Sequence, residues 1–259
     1  MNMVSASLPD NLDMLFLSAM EKGDAYPVFQ PVVRASRQLT GFELLIRWNH
    51  ENQLIRPDIF LPHIRYRETW VALTLMMLDV AVQEINEYNG RYSFAVNIPV
   101  QLGGDRELVF MMTSVLGKLL NPLWSQCIVL EYPETIRITV GSNIHRVAEQ
   151  LQALGVRLYL DDCYSESSVF FPIRQVSFDG YKLDKRIIDS FQNDPHDMML
   201  IRTLIFYTKL SGAQCVAEGI DTNEKFYQLC RLGVENYQGY FFSPPVTREQ
   251  LPVTIRKLT

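Results

Sequence analysis

The sequence predicts an α/β barrel of the (β/α)8 type, and three observations carry that reading. Strand-like and helix-like segments alternate along most of the chain, the pattern of parallel strands joined by crossover helices. The strand segments number about eight, enough to close a barrel. The 259 residues contain no linker, low-complexity run or internal repeat, and one barrel domain of roughly 250 residues accounts for them.

The elements follow in order. Residues 1–25 read as a helical lead-in, with a helix over 10–22 closed by Lys22-Gly23, ahead of one barrel domain over 26–259. YPVFQPVV (26–33) and LTGFELLIRW (39–48) read as strands joined by a turn too short for a crossover helix, so this first pair is antiparallel. A Leu- and Met-rich helix fills 68–88. The strand YSFAVN (92–97), a helix over 105–119 and the strand CIVLE (127–131) come next. In 142–154, Ile144, Val147, Ala148, Leu151 and Leu154 recur at helical spacing, and Gly155 ends the helix. The remaining strands are VRLYLDD (156–162), GYKLD (180–184), QCVAEG (214–219) and a short one near 234–238, with helices over 195–210 and 222–232 between the later ones.

Composition narrows the class. An apolar fraction of 47%, with 14 Phe, 12 Tyr and 3 Trp, supplies a large core and excludes disordered and fibrous chains. A net charge of -5 argues against duplex nucleic acid as a partner, while a small anionic ligand needs only a local positive site or a metal. Cys127, Cys163, Cys215 and Cys230 show no CxxC pairing and read as reduced thiols of a cytoplasmic protein. No basic leader precedes an apolar stretch, and no run of about 18 apolar residues predicts a membrane span.

The chemistry is written at the strand ends. Asn97, Glu131, Asp161, Asp162 and Glu218 each terminate an apolar strand run, and in a parallel barrel those ends meet at one mouth. Period-two alternation within FELLIRW puts Glu43, Leu45 and Arg47 on the face opposite Phe42, Leu44 and Ile46, so Glu43 and Arg47 are expected to point inward. So many carboxylates on one site repel one another, and divalent cations are the simple resolution. The donors are all hard oxygens, which selects magnesium, manganese or calcium over zinc. A single acidic residue at a strand end is more often a helix cap or half of a solvated ion pair; it is the coincidence of the set that points to a metal site. Lys182 reads either as a buried salt-bridge partner or as a cation beside the attacking water.

With those residues in hand, the chain resembles the EAL domain family of cyclic di-GMP phosphodiesterases. The ordered blocks are FQP (29–31), GFELLIRW (41–48), VN (96–97), LEYPE (130–134), LGVRLYLDD (154–162), YKLD (181–184), VAEGID (216–221) and QGYFFSPP (238–245). The resemblance implies a barrel whose first strand runs antiparallel to the rest. It implies two Mg2+ or Mn2+ ions held by Glu43, Asn97, Glu131, Asp161, Asp162 and Glu218, with Ca2+ binding the same oxygens and inhibiting. It assigns Lys182 to the attacking water and Glu134 to the loop after the Asp pair. Gln30, Leu45, Arg47, Asp184, Gln238, Tyr240 and Pro245 are implied to line the dinucleotide site. The implied reaction opens cyclic di-GMP to linear pGpG.

Three departures stand out. Leu44 replaces the usual alanine of the signature, and Asp221 is one methylene shorter than the usual glutamate. After Asp162 the family runs Phe-Gly-x-Gly, whereas this chain has Cys163, Tyr164, Ser165 and Glu166, so both glycines are gone and the loop must be strained or reshaped. Arg65-Tyr66-Arg67 also stands where the family carries acidic residues. Two functions therefore stay open: an active phosphodiesterase, or a catalytically silent domain that acts as a cyclic di-GMP receptor or through a regulatory protein partner. A homodimer is compatible with either.

Overall fold

The computed structural model describes residues 11–136, 143–165 and 176–259. In chain order its elements begin with α1 (Leu12–Lys22), β1 (Ala25–Arg34), β2 (Leu39–His50), β3 (Gln53–Ile55), α2 (Pro57–Phe60), α3 (Arg67–Glu87) and β4 (Ser93–Asn97). They continue with α4 (Arg106–Leu116), β5 (Ile128–Tyr132), α5 (Ile144–Ala153), β6 (Arg157–Cys163), β7 (Gly180–Leu183) and α6 (Lys185–Ser190). The last are α7 (Pro195–Ser211), β8 (Gln214–Ala217), α8 (Asn223–Leu232), β9 (Asn236–Gln238) and α9 (Leu251–Leu258).

The strands run in the order β1-β9-β8-β7-β6-β5-β4-β2-β3, and β1 also pairs with β2, which closes the barrel. β1 is antiparallel to both neighbours, as the short 33–39 connection predicts, and the other barrel pairings are parallel. β3 stands outside the barrel. It folds back on the far end of β2, with Trp48 opposite Ile55, a hairpin the sequence reading does not include.

Two cores result from period-two alternation. Outward-facing Phe42, Leu44, Phe94, Val96, Leu130 and Leu158 join the large layer between strands and helices. Leu44 is 1% exposed there, so the departure from alanine is a packing change on the helix side. Inward-facing Ala95, Val129, Tyr159 and Val216, with Val32, form a small layer inside the barrel. That layer sets its own volume rule: a Cβ on Gly180 would lie 2.6 Å from the Tyr159 ring, so a bulky residue on β6 requires a glycine beside it on β7.

The lead-in helix belongs to the same core. Phe16 of α1 is fully buried against Trp48 and Phe60, with centroids 5.3 and 4.9 Å away, a burial that contributes about 2–3 kcal/mol. Asp13 on the same helix accepts the backbone N–H groups of Arg65 and Tyr66, each at 3.1 Å, and thereby ties the segment that leads into α3 to α1. Arg67 bridges to Asp105 and Glu107 at the start of α4. In the 65–67 segment the Arg67 side chain and the backbone of Arg65 and Tyr66 are thus engaged in intramolecular ties.

Candidate active site

The parallel strands deliver their polar ends to one mouth. Lys182, central on β7 and 2% exposed, reaches in among four carboxylates. Its Nζ lies 2.7 Å from Glu218 Oε1, 2.9 Å from Glu131 Oε2, 3.0 Å from Asp161 Oδ1 and 3.3 Å from Glu43 Oε2. Asn97 donates to Glu43 Oε1 at 2.9 Å and Gln238 donates to Glu43 Oε2 at 2.6 Å, so this glutamate is held from three sides. Asp161 accepts the backbone N–H of Asp162 at 3.0 Å. Carboxylate oxygens of Asp161, Asp162 and Glu218 all lie within 4.8 Å of one another, a donor set that fits a hard divalent cation.

The electrostatics follow from burial and from that single ammonium. Burial pushes the Glu131 and Glu218 carboxyls well above the usual range; Glu43 reinforces the shift at Glu131 and Asp161 at Glu218, while Lys182 offsets part of it. Burial also raises Asp161. At Glu43 burial is outweighed by Lys182, Gln238 and Asn97, and the carboxyl titrates low. Burial alone would lower Lys182, but Asp161, Glu131, Glu218 and Glu43 together hold it well above its ordinary value. Burial, then the negative charges of Asp161, Asp184 and Glu134, push Asp162 up to about 7. A site so short of positive charge attracts cations.

The remaining expected residues divide into two groups. Gln30, Leu45, Gln238 and Tyr240, with Glu43, Asp161 and Glu218, line a cavity of about 470 Å³ at the mouth. Gly219 and Asp221 of the VAEGID block line it too, as does Lys185, which no pattern in the sequence singled out. Arg47, Asp184 and Pro245 do not line it. Arg47 keeps the alternation of β2, half-buried between buried Ile46 and Trp48 and opposite Tyr26 of β1, but it lies beyond the Gly41–Leu44 stretch paired with β4 and donates to the Ile46 carbonyl at 2.8 Å. Asp184 is turned to a structural task, capping α6 through the Arg186 N–H. Pro245 precedes Val246, which exchanges backbone hydrogen bonds with Phe29.

The loop after the Asp pair keeps a glycine-like backbone without glycine. Asp162 and Tyr164 have φ values of 49° and 69°, and the Tyr164 ring packs on the outer core. The strain reading therefore holds at Tyr164; Glu166 lies outside the described residues. Glu134, 7% exposed, accepts from Ser165 Oγ at 2.9 Å and ties this loop to the end of β5. The shortened Asp221 still reaches Lys225 at 2.9 Å, which also holds Asp189 at 2.7 Å. Among the described residues, no helix is long and apolar enough to cross a membrane.

Known proteins are similar to this chain over most of its length. "Probable cyclic di-GMP phosphodiesterase PdeD" of Escherichia coli is 29% identical over 86% of this chain and 42% of that protein. The bifunctional diguanylate cyclase/cyclic di-GMP phosphodiesterase MucR of Pseudomonas aeruginosa is 25% identical over 97% of this chain and 38% of its own length. The chain thus spans about two fifths of these curated relatives. A solved structure, the PaMucR phosphodiesterase in complex with c-di-GMP, superposes with a TM-score of 0.83 at 26% identity, covering 93% of this chain and 99% of that one. The model of the EAL domain matches residues 15–245, nearly the whole barrel and its lead-in helix, and the chain belongs to the EAL domain family.

Proposed function

We propose that this barrel is a metal-dependent phosphodiesterase that hydrolyses one phosphodiester bond of cyclic di-GMP to give linear pGpG. The observation that carries the reading is the gathering of Glu43, Glu131, Asp161 and Glu218 around Lys182, with Asp162 adjacent, at the C-terminal mouth of a barrel closely similar to a c-di-GMP-bound relative. Glu43, Asn97, Glu131, Asp161, Asp162 and Glu218 would hold two Mg2+ or Mn2+ ions. What the ions contribute when bound is Lewis-acid polarisation of the phosphate and a lowered pKa for the attacking water.

The protein's own groups do the rest. Gln238 and Asn97 fix both oxygens of Glu43, so that residue is oriented before any ligand arrives. Lys182 stays protonated through the working pH range and can hydrogen-bond the water and offset charge building on the phosphate. The bond from Ser165 to Glu134 holds the loop that carries Asp162. Gln30, Leu45 and Tyr240 give the dinucleotide a wall. Ca2+ would occupy the same oxygens with looser, higher coordination and hold the reacting groups out of line.

A receptor reading, in which the dinucleotide is bound and not cleaved, is favoured by one observation, the tyrosine held at φ 69° in the loop next to Asp162. Incubation with cyclic di-GMP and Mg2+ or Mn2+, following pGpG by chromatography, separates the two. Conversion that falls by about a hundredfold or more in Glu43→Gln supports the phosphodiesterase. Calorimetric binding without conversion assigns the receptor role, and neither one removes both.

A further inference from the structure

We infer that the opposite, N-terminal end of the barrel is a second site, built for a phosphate group. A cavity of about 280 Å³ opens there and runs up the barrel interior to the underside of Glu131, Lys182 and Gln238. Three arginines frame it: Arg34, where antiparallel β1 ends, Arg91, just before β4, and Arg157, the first residue of β6. They come from separate parts of the sequence and meet because β1 runs against its neighbours, which puts its last residue beside the first residues of the parallel strands.

The arginines have no carboxylate of their own. Among the described residues none of the three is in an ion pair, although the chain carries a net charge of -5. Arg157 donates Nε to the Gln126 carbonyl at 2.8 Å and lies over the Tyr159 ring, 5.9 Å from its centroid. That fixes the guanidinium, and its two terminal nitrogens make no hydrogen bond. Among the described residues the Arg34 and Arg91 side chains likewise make no hydrogen bond; Arg91 rests on the Tyr92 ring at 5.3 Å.

The neutral lining is also biased toward donors. The carbonyl of Gln214 is already engaged, accepting from Tyr159 Oη at 2.6 Å and from Asn236 Nδ2 at 3.3 Å, which leaves the Gln214 amide N–H groups to donate. The only carboxylate on the described lining is Glu131 at the inner end, and Lys182 holds it. Guanidinium forks with an amide donor and no carboxylate lining the entrance suit a tetrahedral oxyanion, although Asp179 and Glu235, just ahead of β7 and β9, lie near enough to act on Tyr159. The ligand is therefore free orthophosphate or the phosphate of a small monoester, and the inference stands independently of what the other mouth cleaves.

The test is calorimetric titration of the full chain in EDTA, so that no metal at the C-terminal mouth can hold the anion. Orthophosphate and a nucleoside 5′-monophosphate are titrated separately at constant ionic strength. Binding is expected in the wild type, weakened by about tenfold or more for each arginine removed in Arg34→Gln and Arg91→Gln, and lost in the triple variant with Arg157→Gln. Arg34 and Arg91 are exposed, so their double variant folds and keeps the Arg157 contact to Gln126. Tighter binding of the monophosphate identifies a phosphoester ligand, and equal or weaker binding identifies orthophosphate. No binding by the wild type, or binding that survives the triple substitution, overturns the inference.

Discussion

Lys182→Met removes the one cation from the centre of the site while keeping the length and apolar stem of the side chain. In the metal-free protein the ammonium touches four carboxylates at 2.7 to 3.3 Å, and Lys182, Glu43 and Glu131 are 2%, 5% and 3% exposed. Breaking a buried ion pair by deleting one partner costs about 3–5 kcal/mol, because the remaining charge stays buried and uncompensated. For a chain of this size each kcal/mol moves the melting temperature by about 2–4 °C, so the variant should melt roughly 6–20 °C below wild type in EDTA at about pH 8.

The pH dependence has a definite sign. Glu131, Glu218 and Asp161 already titrate above their ordinary values, and loss of Lys182 raises them further. An acid whose folded pKa exceeds its unfolded one binds more protons when folded, so its penalty grows as pH rises from the unfolded value through the folded one. The gap between variant and wild type should therefore narrow toward about pH 5. It should also narrow when Mg2+ or Mn2+ is added at high pH, since a cation then returns to the same oxygens. Calorimetric melts at the two pH values, with EDTA and with metal, give all four readings. A variant that melts within about 2 °C of wild type in EDTA at high pH would refute the reasoning, as would a deficit indifferent to pH.

Substitutions at two further positions probe the loop. Tyr164→Gly and Tyr164→Ala both delete a ring that packs on the core, but only glycine is at ease at φ 69°; denaturant melts should find the glycine variant about 1–2 kcal/mol more stable than the alanine one, and equal stabilities would remove the strain argument. Asp162, pushed up to about 7, is a destabilising charge in the metal-free protein above that pH and neutral well below it. Asp162→Asn should therefore gain stability over wild type at about pH 8 and little at about pH 4.5 in EDTA, while losing affinity for Mn2+ measured by titration.

What the sequence could and could not show turns on strand geometry. Parallel strands deliver their ends to one face, so polar residues closing apolar runs could be read as neighbours without coordinates, and alternation correctly sends Glu43 and Leu45 to the mouth and Leu44 to the helices. The same rule fails to bring Arg47 to the mouth cavity, although the residue alternates between buried Ile46 and Trp48, because it lies beyond the stretch of β2 paired with β4; β3, which pairs with that end of β2, forms a hairpin with no strong turn signal in Glu51-Asn52. It should also fail for Asp161-Asp162. In a regular strand, adjacent side chains point to opposite faces, and one aspartate would be lost to the helix layer.

Both reach the site because the β6–β7 register slips between Leu160 and Cys163, and Asp162 turns to φ 49°. Such an irregularity re-aims one side chain at the expense of ladder hydrogen bonds. The cost recurs at Tyr164, the next residue but one, whose φ is also positive. It is met locally by the turn bond from Ser165 N–H to the Asp162 carbonyl at 3.0 Å and by the bond from Ser165 to Glu134. The double aspartate, the missing glycines and the bond from Ser165 to Glu134 are thus one construction: a strand broken so that two consecutive carboxylates can face the same ion site, and a serine that holds the break in place.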